Sequence, residues 1–82
     1  MENLTNIETT VNEINKARKN SSNSWYTHNT KYNGVSISIK GYKTWIQKMV
    51  IGNAVVGSSC MEMKVKEFKR WIREFIQQNT GE

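Results

Sequence analysis

Aspartate and proline are absent from this chain of 82 residues, and cysteine and histidine occur once each, as Cys60 and His28. The carboxylate side chains are seven glutamates, at positions 2, 8, 13, 62, 67, 74 and 82. Metal-assisted hydrolysis needs converging carboxylates or imidazoles, and acid–base catalysis needs a tuned pair. No such set can be assembled here, and a Cys60–His28 pair would lack an orienting carboxylate. The residues therefore predict a protein that is not an enzyme, with no metal and no cofactor. A lone cysteine forms no internal disulfide, and there is no Cys/His cluster for structural zinc. No apolar run is long enough to cross a bilayer, and Met1-Glu2-Asn3-Leu4-Thr5-Asn6 lacks the basic and apolar stretches of a signal peptide. A cytoplasmic location and no membrane partner are expected.

What is present is positive charge, unevenly placed. Lysine and arginine number 12 and the formal net charge is +5. The first fifteen residues are acidic, whereas every basic residue lies from Lys16 onward, facing only Glu62, Glu67 and Glu74 up to Gln78. An anionic partner suits such a body: nucleic acid, RNA or DNA, or an acidic protein surface.

The periodicity predicts an α+β domain with an N-terminal helix, an antiparallel three- to four-stranded meander and a C-terminal helix packed on the sheet. Residues 1–20 read as helix, with Leu4, Ile7, Val11 and Ile14 as its apolar stripe and Thr5/Glu8 as a capping box. The stripe is thin, so the helix is expected to pack lightly, or to be held by a partner or a second copy in a homodimer. Removing residues 1–20 should then leave the rest folded. Residues 21–24 form a polar connector. Residues 25–63 read as sheet: Trp25–Tyr32, a hairpin at Asn33-Gly34, alternation at Val35, Ile37 and Ile39, a strand over Thr44–Ile51, and a turn at Gly52-Asn53 into Ala54-Val55-Val56. Lys40-Gly41-Tyr42-Lys43 reads equally as turn or bulge. The last helix begins either at a Ser59/Glu62 capping box or at Lys64, after a strand that continues through Met61 or Met63. The alternation over Cys60–Met63 favours the second start, giving a helix over 64–78.

On that helix Met61, Val65, Phe68, Ile72, Phe75 and Ile76 form an apolar side, and Lys66, Lys69, Arg70 and Arg73 a narrow basic stripe. Glu62–Lys66 and Arg70–Glu74 pairing would make that stripe an ordinary solvated face. If Lys40, Lys43 and Lys48 share its face, the patch is large enough to follow a phosphate backbone. Trp45 and Trp71 are assigned to the core or its edge. Tyr26, Tyr32 and Tyr42 are the candidate stacking platforms for bases, with Trp25 undecided. His28 is read as a polar edge residue and Cys60 as a small buried hydrophobe.

In element order the chain resembles the double-stranded RNA-binding domain. Gly52-Asn53-Ala54-Val55-Val56-Gly57-Ser58-Ser59 would correspond to that family's last strand and Gly/Ser turn, with Lys64 and Lys66 as its nearest lysines. Cys60 and Met61 stand where the family has paired lysines, and Phe68, Trp71 and Phe75 replace its alanine-rich helix. In size and make-up the chain also resembles the small counter-defence proteins of phages and mobile elements, such as anti-CRISPR proteins. That resemblance implies an inhibitor acting in a host cytoplasm on nucleic acid or a nucleoprotein complex. The alternative is an inhibitor that docks on an acidic host protein without binding free nucleic acid.

Overall fold

Six elements follow one another along residues 6–58 and 62–80, the part of the chain that the computed structural model describes. Helix α1 spans Ile7–Ser21, strands β1 to β4 span Trp25–Tyr32, Val35–Tyr42, Trp45–Ile51 and Ala54–Gly57, and helix α2 spans Val65–Thr80. The strands form one antiparallel sheet in the order β1-β2-β3-β4. The fold is therefore α+β, with a four-stranded meander. No helix among the described residues is long and apolar enough to cross a membrane.

Local chemistry sets the boundaries. Asn6 caps α1, its side chain accepting a hydrogen bond from the Glu8 backbone N–H at 2.8 Å. The cap among the described residues is Asn6, and the expected Thr5/Glu8 capping box involves Thr5, which lies outside them. Asn33 and Gly34 both have positive φ, 51° and 84°, as a two-residue turn matched to strand twist requires. The undecided segment at residues 40–43 holds both features: a register irregularity at Lys40/Gly41, then a turn at Lys43-Thr44. The sheet ends at Gly57, short of Met61 or Met63, and the expected Ser59 cap falls in residues 59–61, outside those described. Helix α2 runs two residues past Gln78, because Asn79 and Thr80 donate side-chain hydrogen bonds to the Phe75 and Ile76 carbonyls.

The apolar core lies on one face of the sheet. Ile37, Ile39, Ile46, Met49 and Ile51 meet Val11 and Ile14 of α1 and Phe68, Ile72 and Ile76 of α2, all at most 2% exposed. Ile46 and Met49 are three residues apart, so a regular strand would send them to opposite faces. Lys40 pairs with Lys48 and Gly41 with Ile46, leaving Gln47 as an extra residue that restores both to the core. Gly57 faces α2 so closely that an added Cβ would lie 2.5 Å from the Phe75 ring. Thr44 fixes the approach to α2, its hydroxyl accepting from the Met63 N–H at 2.8 Å and donating to the Met63 carbonyl.

Helix α1 is more than a lightly packed flank. Val11 and Ile14 are fully buried and Thr10 is 1% exposed, with Ile7 and Ala17 packed beside them. The thin stripe suffices because the helix is laid across β1 and also contacts α2. Ile14→Ala is expected to lower stability by about 2–5 kcal/mol, read from urea unfolding. Deletion of residues 1–20 uncovers the β1–β2 side of the core and should abolish the cooperative thermal transition.

Candidate functional site

With both helices on one face, no other described element covers the outward side chains of the sheet. Along β1 these are Trp25, Thr27, Asn29 and Lys31, alternating with inward Tyr26, His28, Thr30 and Tyr32. Along β2 they are Ser36, Ser38, Lys40 and Tyr42. The Gln47 bulge turns Gln47 and Lys48 outward together, and Val50 and Val55 follow beyond them. No carboxylate lies anywhere between Glu13 and Glu62, so this face holds Lys31, Lys40, Lys43 and Lys48 without a counter-charge of its own.

Three rings gather at one end. Trp25 lies 5.6 Å from Tyr42 and 5.1 Å from Trp45, centroid to centroid, with tilted planes. Strand pairing brings them together, since Tyr42 is opposite Trp25 on one side and Trp45 on the other. Trp25 is 47% exposed, a large apolar area to leave in water. Lys43 places its ammonium 5.6 Å from the Tyr42 ring centre, from a backbone at φ 53°. That left-handed conformation costs a residue with a side chain about 1–2 kcal/mol. At mid-sheet Lys40 and Lys48 are directly opposed across β2 and β3. Like charges so placed destabilise a strand pair. They border a shallow groove of about 740 Å³ that extends to Val55 and Ser58, and a second of about 450 Å³ lies over Asn29, Lys31, Ser36 and Ser38.

The residues expected to act together from sequence divide between two layers. Lys40, Lys43, Lys48 and Tyr42 belong to the outer sheet face, while Lys66, Lys69, Arg70 and Arg73 sit on α2 behind the sheet. Tyr26 and Tyr32 are no stacking platforms: they point inward and are 5% and 3% exposed. Burial pushes the Tyr26 hydroxyl up to about 12, against a smaller opposing effect of Arg18. Trp45 lies on the outer face and is only half-buried, whereas Trp71 packs edge-on against Phe75 at 5.5 Å. Val65 leaves the predicted apolar side and is 44% exposed. His28 is an edge residue as expected, 2.7 Å from a Glu13 carboxylate oxygen. Met61 and Cys60 lie outside the described residues. Lys31 was missed by sequence reasoning, although the long stretch without carboxylates signals it.

Within the α2 stripe Arg73 is already paired. Its guanidinium donates twice to Glu8 of α1, through Nε to Oε2 and through Nη2 to Oε1 at 2.9 Å. Neither Glu62–Lys66 nor Arg70–Glu74 forms an ion pair, and Lys66, Lys69 and Arg70 hold no hydrogen bond to any described residue. Among the described residues no three His, Cys or Glu side chains converge. The groups that do converge on the sheet face can stack on planar rings and neutralise anions. Neither a protein-family model, a curated protein nor a solved structure matches the chain.

The Arg73 hydrogen bond, helped by the charges of Arg73 and Lys69, holds the Glu8 carboxyl below its ordinary range, outweighing some desolvation. A depressed folded-state value stabilises the fold above the unfolded value and is lost as pH falls through the folded one. The pair is exposed, so the contribution is small. Glu8→Gln should flatten the acid limb of stability, measured as urea midpoints between about pH 7 and about pH 3.

Proposed function

We propose that the protein is a non-catalytic binder of single-stranded nucleic acid, which lies across the outer face of the sheet. One observation carries this reading: an uncovered sheet face that joins a cluster of three rings to four lysines and has no carboxylate. Sheet surfaces that bind single strands stack about two or three bases on such rings, and base–aromatic stacking is worth about 1–3 kcal/mol per base. Trp25, Tyr42 and Trp45 would take bases, while Lys31, Lys40, Lys43 and Lys48 would neutralise phosphates. Phosphate between Lys40 and Lys48 would relieve their mutual repulsion. An acidic protein surface would also take the lysines and bury the rings, but nucleic acid alternates planar bases with anionic phosphates, which matches rings set beside lysines. In a cell such a protein would act in the cytoplasm by occupying single strands that a nucleic-acid-processing complex needs, which agrees with the inhibitor type it resembles in make-up.

With four lysines engaged, the logarithm of affinity should fall with the logarithm of salt at a slope of about −3. Trp25→Ala should weaken binding to oligothymidine or oligouridine about ten- to a hundredfold, by fluorescence anisotropy. Lys43→Gly separates fold from site: it removes the left-handed backbone strain and should raise stability by up to about 1 kcal/mol, yet weaken binding. Unchanged binding in both variants would contradict the reading.

A further inference from the structure

The α2 stripe is left over by this reading. It lines a separate groove of about 410 Å³ formed by Val65, Lys66, Lys69, Arg70 and Arg73, in the helix layer behind the sheet. Its charges are placed against local stability. Lys66, Lys69 and Arg70 lie in the first half of α2, and the last turn of that helix carries no basic residue. Lys66 and Arg70 stand at i and i+4, where like charges repel, and Lys66 also lies in the first turn, where the helix dipole disfavours a cation and favours its neighbour Glu67. The acidic residues in reach make no ion pair with these three: Glu8 is bonded to Arg73 and feels the Lys69 charge only at longer range, while Glu62, Glu67 and Glu74 pair with none of the stripe. This surface has charge but no stacked rings beside it, since Trp71 is turned edge-on to Phe75.

We infer that α2 is a second nucleic-acid surface, for the phosphate backbone of a duplex, so that one copy of the protein tethers a single strand to a duplex. The single-strand half rests on the proposed sheet-face site; the duplex half rests on α2 alone. A duplex suits the stripe because it carries about one negative charge per 1.7 Å of axis and offers its bases only in grooves. From Lys66 to Arg73 the stripe rises about 10 Å along the helix, close to the length of about three base pairs. The sheet lies between the two surfaces, so a ligand on one leaves the other free.

The test uses the whole chain at low salt, with a donor-labelled oligothymidine of about eight nucleotides and an acceptor-labelled duplex of about 20 base pairs. The protein is expected to bring donor and acceptor into energy transfer, with one protein copy per complex by native mass spectrometry. Lys66→Glu, Lys69→Glu and Arg70→Glu together should abolish transfer and duplex binding while changing oligothymidine affinity by less than about threefold. None of the three side chains belongs to the buried core, and circular dichroism with a thermal melt checks that the variant keeps its fold. Lys40→Glu with Lys48→Glu should instead remove oligothymidine binding and keep duplex binding. Transfer that survives the α2 variant overturns the inference, as does oligothymidine binding without transfer or a complex with two protein copies. If the sheet variant still binds oligothymidine, the sheet-face reading fails, and duplex binding by the α2 variant still decides the second surface.

Discussion

The side chains that can leave water in this chain lie almost entirely on one side of its sheet, and both helices are needed to cover them. Ile37, Ile39, Ile46, Met49 and Ile51 supply the sheet half of the core, and Val11, Ile14, Phe68, Ile72 and Ile76 the helical half. In a small domain one such layer must supply most of the hydrophobic stabilisation. Among the described residues no further element remains to cover the second face. That face is released from packing duty, and its composition can answer to something other than stability.

Its composition does depart from what stability alone would select. Trp25 is left half in water, Lys40 faces Lys48 across two strands, and Lys43 takes a backbone conformation that suits glycine. Each feature costs the fold free energy, and the three sit on one surface. Local rules broken together at one place mark sites where function, not folding, sets the residue. The bulge at Gln47 serves both sides at once: it returns Ile46 to the core and turns Lys48 toward the open face. In the helix layer Glu8 and Arg73 neutralise each other and link α1 to α2, while Lys66, Lys69 and Arg70 beside them make no ion pair with any described residue.

The element order was legible because most of the chain keeps a clear strand or helix period, with the ambiguities confined to residues 40–43 and the start of the last helix. Val35, Ile37 and Ile39 alternate with small polar residues, and Asn33-Gly34 marks the hairpin. Strand β1 was legible as a strand but not in its orientation. In Trp25-Tyr26-Thr27-His28 aromatic residues stand on both faces, so alternation alone cannot say which ring is buried. Pairing decides: Tyr26 lies over Gly41, whose missing side chain makes room for the ring. The same geometry turns Trp25 outward onto Tyr42. The basic residues were legible as a population, but their division between two layers depends on how helices stack on the sheet, which no local pattern encodes. Val65 shows the same limit, since its place on the helical wheel is apolar while its position at the start of α2 lies beyond the edge of the core.

The central claim is that the uncovered sheet face is where nucleic acid binds. The most direct measurement is a titration of isotopically labelled protein with oligouridine, followed by amide and indole chemical shifts. The account predicts the largest changes at the Trp25 and Trp45 indoles and at Thr27, Ser38, Lys40 and Lys48, with Trp71 unmoved. Saturating shifts confined to α2, with the sheet resonances unchanged, would contradict it.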